Sequence, residues 1–365
     1  MNLQKMTNLA GRSCPMALLF SLLLLTACRP QDKPTDTKPA VLIEGKTMGS
    51  YYRILYLDDQ QRNFQPQIEE LLKEINAEVN TYDSTSFISS FNNDPTGMAL
   101  AGPTDAPMRH FMANFETARR VFEASEGYYD CTIMPLVNYW GFGYADKQAV
   151  AQADSARIDA LRQLVDMNLL TIETQGRAPF LRKQKPGVQL DFSSCAQGYA
   201  TDQIALLLEE QGIGNYLVDI SGEQRAKGVN AKGKTWQIGI NTPKEDASLT
   251  DIQRIVKLDN RCLATSGNYR NYYEVDGQKY GHTINPHTGY PERTNLLSAT
   301  ILAPEAITAD AFATACMALG LERALAMIKK QPGLDAYFIY ADKDGSLKSV
   351  YTDGIKAILV EEEAQ

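Results

Sequence analysis

Residues 187–223 read "GVQLDFSSCAQGYATDQIALLLEEQGIGNYLVDISGE", and the order of patterns within them decides the fold class. Val188 to Phe192 reads as extended, and a polar turn follows. Tyr199 to Glu210 sets Ile204, Leu207 and Leu208 at helical spacing, and Tyr216 to Ile220 is extended again. The neighbouring segments do not repeat this unit. Strands and helices are interspersed without regular strand–helix–strand alternation, which points to an α+β (mixed α/β) fold rather than a doubly wound parallel sheet.

Upstream, "TMGSYYRILYLD" (47–58) alternates as a first strand, and "PQIEELLKEINAEVNTYD" (66–83) places Ile68, Leu71, Leu72, Ile75 and Val79 on one helical stripe. A second helix is expected from about Met108 to Ala124, ending at Gly127. The Ala-, Asp- and Gln-rich stretch between Asp146 and Gln163 reads as a helical insertion at the surface. Downstream, short strands broken by Gly, Pro and Asn run from "WQIGIN" (236–241) to "LSATILA" (297–303). A helix opened by "TADAFAT" (308–314), a second from about Leu321 to Lys330 and the strand "DAYFIYA" (335–341) complete the pattern.

The chain has 365 residues, and the first thirty are not read as part of the fold. "MNLQKMTNLAGRSCPMALLFSLLLLTACRP" carries basic Lys5 and Arg12, an apolar run from Met16 to Leu25, and small residues before Cys28. This is a secretory signal, with an apolar run too short for a dedicated membrane span. "LTAC" (25–28) resembles the bacterial lipobox, in which the cysteine becomes the lipidated first residue. A diacylated and N-acylated Cys28 would give stable membrane anchoring. The expected organisation is a lipoprotein signal peptide over 1–27, a Pro-, Asp-, Lys- and Thr-rich tether over 28–40, and one domain over 41–365. The expected location is the cell membrane, lipid-anchored and facing the periplasm or outer side.

The formal charge is −8, and removing residues 1–27, which hold Lys5 and Arg12 and no acid, leaves −10. No basic patch or basic–aromatic interleaving points to nucleic acid. Cys131, Cys195, Cys262 and Cys316 lack CxxC spacing, and the chain's three histidines, His110, His282 and His287, cannot build a histidine-rich metal cluster. Disulfides and free buried thiols both remain open for these cysteines. Gly-rich phosphate loops of the Walker type are absent.

Within "TADAFAT", Asp310 and Thr314 stand four apart, so on a helix both oxygens point to one side. Two hard donors of this kind can be half of a Mg2+ site. The competing reading is that Thr308 caps the helix, Asp310 favours the macrodipole in its first turn, and Thr314 is incidental.

Five further polar, glycine-bearing stretches precede this helix: "KTMGS" (46–50), "EGYYDCTIMPLVNYWGFG" (126–143), "LDFSSCAQGYATD" (190–202), "VDISGEQRAKG" (218–228) and "LATSGNYRNYYEVDGQKYGHTINPHTGYP" (263–291). In this order, and followed by "ITADAFATACMALG" (307–320), they resemble the ApbE family of FAD:protein FMN transferases from about Gly45 to beyond Ala341. The resemblance implies a single T-fold-related domain. It also implies a Mg2+-dependent enzyme that cleaves the FAD pyrophosphate, joins FMN to a Thr or Ser hydroxyl of a target protein and releases AMP.

On the matching positions the resemblance implies metal ligation by Asp310, Thr314 and the Ala196 carbonyl. It implies flavin or nucleotide contacts at Met48, Tyr82, Tyr128, Tyr129, Asp130, Ser193, Tyr199 and Ile284, and a general base at His282. Glu223 reads either as a ribose or adenine contact or as a solvated acid in a turn. The implied partners are FAD, subunits of membrane redox complexes that carry the acceptor hydroxyl, and the membrane itself. Gln197, Asn268 and Asn285 depart from the commoner "AKG", "SGDYRN" and "HIIDP", each losing a charge near the site without touching the metal set. Two other readings use the same residues: hydrolysis of FAD to FMN and AMP, and a flavin-binding lipoprotein without turnover.

Overall fold

Ala40–Thr47 (β1) and Ser50–Leu57 (β2) form a hairpin closed by Met48 and Gly49, with φ of 48° and 72°. Both turn residues lie in the left-handed region that a tight hairpin demands. The sequence reading found the second of these strands and missed the first. This computed structural model describes residues 39–360 apart from 103–106, 145–149, 151, 175–177, 244–250, 268–271 and 276–277. The signal peptide, Cys28, nearly all of the tether, and Asn268 therefore lie outside the described residues.

The chain continues through α1 (Gln65–Val79), α2 (Phe87–Asn93), β3 (Gly97–Ala99), α3 (Arg109–Ala124), α4 (Met134–Tyr139), α5 (Ser155–Arg162), β4 (Leu170–Glu173) and β5 (Phe180–Lys183). Next come α6 (Ala196–Glu210), β6 (Tyr216–Ile220), β7 (Glu223–Lys227), β8 (Trp236–Asn241), β9 (Ile252–Leu258), β10 (Arg261–Gly267), β11 (Tyr272–Val275) and β12 (Gln278–Gly281). The C-terminal part holds β13 (Leu296–Ala303), α7 (Ala306–Leu319), α8 (Leu321–Lys329), β14 (Asp335–Ala341), β15 (Leu347–Tyr351) and α9 (Asp353–Ile358).

Eight strands build one sheet in the order β1-β2-β6-β7-β10-β13-β14-β15, with antiparallel pairing throughout. The α+β reading holds. Side chains alternate across this sheet, so each strand feeds two cores. On one face Tyr52, Ile54, Tyr56, Val218, Ile220, Ala299 and Ile301 pack with helical residues such as Ile68, Leu72, Phe111, Phe115, Ile204 and Phe312. On the other face Ala226, Leu263, Leu302, Tyr337 and Ile339 are covered by Trp236, Ile238, Ile240, Val256 and Leu258 of the β8–β9 hairpin and by Ile355 of α9. A third cluster joins Leu136, Trp140, Ile158 and Val165 to Ile284. It fixes α5, the described part of the expected helical insertion, against the segment after β12.

Helix α7 decides the arrangement of the site. Every residue from Ala306 to Leu319 except Thr314 is buried, because small side chains let the helix lie between the sheet and its helical neighbours. Its start differs from the sequence reading. The N-cap position is Glu305, Thr308 lies inside the first turn, and the Thr308 hydroxyl donates to Glu305 Oε2 at 3.1 Å. The first-turn amide of Ile307 instead donates to Asp202 Oδ2 of α6 at 3.0 Å, and Asp202 Oδ1 accepts from Arg225 of β7 at 2.8 Å. One buried carboxylate thus ties α6, α7 and β7 together. A cap supplied from another helix leaves no local trace in the sequence of α7.

Two other local readings change. Val188 to Phe192 forms no strand and makes only a bridge between Gln189 and Ile133. Ile284, expected in a strand, makes a single bridge to Pro291, and His282 follows β12 in a bend. Asp202→Ala should destabilise the protein by about 2–3 kcal/mol, since it removes the nearer acid from Arg225, leaving only Glu209 at 3.6 Å, and leaves α7 uncapped. Urea unfolding checks this, and a loss below about 1 kcal/mol would mean that the clamp carries little weight.

Candidate functional site

The segment from Asp191 to Tyr199 is the hub. Asp191 Oδ1 accepts from the Ser193 amide and hydroxyl at 2.9 and 2.6 Å, which shapes the turn ahead of α6. The Ser194 hydroxyl donates to the buried Tyr129 phenol at 2.9 Å. Ala196 opens α6, and two residues later the Gly198 amide donates to Asp310 Oδ2 at 3.0 Å. Tyr199 closes the segment with its hydroxyl 2.9 Å from Nδ1 of the buried His110. Burial and the neighbouring Arg109 guanidinium lower His110 to about 4, and burial lifts Tyr199 to about 12.

Gly198 has a steric reason to be glycine. A Cβ there would lie 2.4 Å from the Ala306 carbonyl oxygen and 2.8 Å from Asp310 Cβ. Because that methyl is missing, an amide of the first turn of α6, which has no partner within its own helix, reaches the Asp310 carboxylate. Thr314, one turn along α7 from Asp310, is the helix's only incompletely buried residue, and its hydroxyl is 3.3 Å from Ser266 Oγ at the end of β10. The same-side placement expected for Asp310 and Thr314 is therefore present in the folded chain.

A second acid faces this point. Glu223 opens β7 and is only 7% exposed, so it is not a solvated turn acid. Its Oε2 has no hydrogen-bond partner among the described residues. Burial and then the charge of Asp310 push Glu223 well above the usual carboxylate range, while burial lifts Asp310 to about 7. Glu223 feels the charge of Asp310, and neither buried acid has a basic partner among the described residues. Such a pair requires a cation or a proton for balance.

The remaining candidates fall around the hub in three groups. Met48, at the β1–β2 turn, is linked through Ser50, whose hydroxyl donates to Ser221 Oγ at 2.8 Å, to the turn preceding Glu223. Tyr82 is 58% exposed in a turn, donates to the Phe142 carbonyl at 3.3 Å, and has its phenol raised by burial and by Asp191. The Phe142 ring in turn meets His282 edge-on at 6.5 Å, so Tyr82 and His282 share one neighbour.

Others are more structural than the sequence suggested. Tyr128 lies under the Arg323 guanidinium, at 4.4 Å from its ring, and against His287. Both Asp130 oxygens are engaged, Oδ1 by Thr132 and Oδ2 by the Met167 amide, and burial raises this acid to about 6. Ile284 belongs to the Trp140 cluster. Asn285, one of the departures from the commoner motif, organises its own loop by accepting from the His287 and Thr288 amides and donating to Glu292.

Sequence reasoning missed Asp202, Asp191 and Ser266 as parts of this arrangement. All three lie inside quoted motifs, but only the fold reveals which neighbours they hold. All four described cysteines are free and buried. Among the described residues no group of three or more His, Cys, Asp and Glu side chains could hold a metal. A cation bound here would find the Asp310 carboxylate and the Thr314 hydroxyl on one side of α7, and would need further oxygens from backbone or ligand. That donor set, together with the orphaned carboxylate oxygen of Glu223, fits a hard divalent ion.

The antiparallel sheet thus carries buried acids where α6 meets α7 and an exposed aromatic ring at Tyr82. The family model described as "ApbE family" matches residues 48–338, and the chain belongs to that family. The FAD:protein FMN transferase of Escherichia coli K12 is 34% identical over 355 residues, covering 95% of this chain and 97% of the relative. The corresponding Vibrio cholerae transferase is 36% identical over 316 residues, covering 86% and 89%. The solved flavin transferase ApbE of Vibrio cholerae superposes with a TM-score of 0.77 at 34% identity, covering 88% of this chain and 99% of that one. The flavinyl transferase ApbE of Pseudomonas stutzeri gives 0.76 at 31%, covering 88% and 96%.

The raised acids set a pH dependence. Between the ordinary value of 3.8 and about 7, Asp310 keeps its proton in the folded, metal-free protein and loses it in the unfolded chain. Its contribution to stability is thus complete below that window and falls as pH rises through it. Asp130 acts in the same direction, and His110, lowered on folding, acts in the opposite one. Subtracting the wild-type curve from that of Asp310→Asn isolates the effect. In chelator, the unfolding free energy of the variant minus that of the wild type should grow with pH across this window, and a flat difference would contradict the raised Asp310.

Proposed function

We propose that this chain transfers FMN from FAD to a Thr or Ser hydroxyl of a target protein and releases AMP. The observation that carries the reading is the meeting of α6 and α7. There the Gly198 amide donates to Asp310, Thr314 follows one turn along the same helix, and the charge of Asp310 acts on the buried Glu223. Relatives named FAD:protein FMN transferases, similar over nearly the full chain, support the same reaction class.

In this reading the acceptor oxygen forms a new bond to the FMN phosphorus, and the bridging P–O bond breaks with its oxygen leaving on AMP. The acceptor proton passes to the His282 imidazole, the type of side chain whose ordinary titration lies near neutral pH. Asp310, Thr314 and the Ala196 carbonyl are the groups that would hold Mg2+, which when bound would supply positive charge to balance the phosphates. The exposed Tyr82 ring offers a flat surface to the isoalloxazine, with Met48 at the neighbouring hairpin turn. Ser193, Tyr199, Tyr129, Tyr128, Asp130 and Ile284 shape the walls, mainly by holding the loops described above.

The reading extends to location. Cys28 carries the lipid anchor and the domain works on the outer side of the cytoplasmic membrane, where its acceptors are subunits of membrane redox complexes. The support is the signal-like run and "LTAC" in the sequence. Among the described residues no helix is long and apolar enough to cross a membrane.

Incubation with FAD, Mg2+ and a candidate acceptor domain, followed by intact-mass spectrometry, tests the reaction. An FMN adduct on the acceptor is the expected product. Free FMN with AMP would identify a hydrolase instead, and intact bound FAD a carrier. His282→Ala should slow transfer by about a hundredfold or more while sparing FAD binding. Unchanged transfer at saturating FAD would remove His282 from the mechanism. Tyr82→Ala should weaken FAD binding by roughly 2- to 10-fold if the ring stacks on the flavin, as read by fluorescence titration.

A further inference from the structure

We infer that Glu223 is an additional ligand, direct or through one water, of the divalent cation held by Asp310 and Thr314. The inference rests on the metal site proposed above and adds to it a second carboxylate.

The first support is the unpaired oxygen. Glu223 is 7% exposed, and Oε2 reaches no donor among the described residues. A buried carboxylate oxygen left in this state costs free energy unless something fills the gap. The neighbouring polar groups are already committed. The Thr201 hydroxyl donates to the Glu223 backbone carbonyl rather than to the carboxylate. Asp219 accepts from the Gly222 amide at 2.9 Å and from Gln224 at 3.0 Å. Arg225, two residues along the same strand, is held by Asp202 at 2.8 Å and lies 3.6 Å from Glu209. The charged groups that act on Glu223 are the acids Asp310 and Asp219.

The second support is rigidity. Glu223 follows Ser221 and Gly222, both with left-handed φ of 60° and 109°, in a turn pinned by Asp219 and by the Ser50–Ser221 hydrogen bond. The backbone that carries the carboxylate is therefore fixed before any ligand arrives, as a metal ligand needs. The charge count agrees. Two ionised carboxylates balance one divalent cation, and one or two carboxylates with substrate oxygens form an ordinary Mg2+ shell. A ribose or adenine contact at Glu223 would be neutral and would leave both negative charges buried.

The rival account is a single proton shared by Glu223 and Asp310. Glutamine, which copies the protonated acid in shape, separates the two. Mn2+ titrations of the purified protein, with free Mn2+ read by EPR, should show Glu223→Gln binding about 10- to 100-fold more weakly than the wild type. Without metal, the same variant should melt at a higher temperature than the wild type, because the amide removes the cost of burying an ionisable acid, and added Mg2+ should raise its melting temperature less. Glu223→Asp, which keeps the charge on a shorter arm, should recover part of the Mn2+ affinity. Wild-type Mn2+ affinity in Glu223→Gln, with affinity lost in Asp310→Asn, would overturn the inference and leave the metal site standing. Absence of Mn2+ binding by the wild type would overturn both.

Discussion

The rest of the structure depends on how closely α6 approaches α7. At Gly198 the space beside the backbone is already taken by the Ala306 carbonyl and Asp310 Cβ, at distances no real Cβ could accept. The contact does three things at once. It lets the first turn of α6 donate an amide to Asp310, brings Asp202 over the first turn of α7, and leaves Thr314 as that helix's one partly open position. Widening the approach by a methyl group would separate the groups that the site needs together.

Around this contact the protein keeps an unusual amount of negative charge out of water. Asp310, Glu223, Asp130, Asp191 and Asp202 are all pushed above the ordinary carboxylate range, with burial the leading cause for each. Four of them have evident partners: Asp202 holds Arg225, Asp130 holds Thr132 and Met167, Asp191 holds Ser193, and Asp310 holds the Gly198 amide. Glu223 differs from these in keeping a buried carboxylate oxygen with no partner among the described residues. Buried polar groups in folded proteins are ordinarily satisfied, so this unsatisfied oxygen of Glu223 is better explained by a ligand than by the fold.

Much of the fold was legible where periodicity was strong. Tyr216–Ile220 and Asp335–Ala341 are strands over the expected residues, and the stripe from Ile68 to Val79 is helical. Reading failed where a partner distant in the chain decides the local structure. β1 pairs with β2 across a turn whose first residue is methionine rather than the glycine or asparagine that signals such turns, so the hairpin was not visible. Thr308 had the chemistry of a cap, yet Asp202, more than a hundred residues earlier, took that role. The placement of Asp310 beside Thr314 was legible for the opposite reason. Asp310 and Thr314 lie on one helix, so four residues of spacing suffice to place them, whereas Glu223 joins them only through the sheet. From sequence it looked equally well like a turn acid.

The enclosure of α7 has a consequence for how this chain can diverge. A helix whose side chains are answerable to neighbours on every side offers random substitution almost nowhere to settle. Drift must accumulate in the loops and on the outer strands, while this segment stays nearly fixed. Long after the remainder has become unrecognisable, "ITADAFATACMAL" is the stretch by which remote descendants of this chain would still be traced.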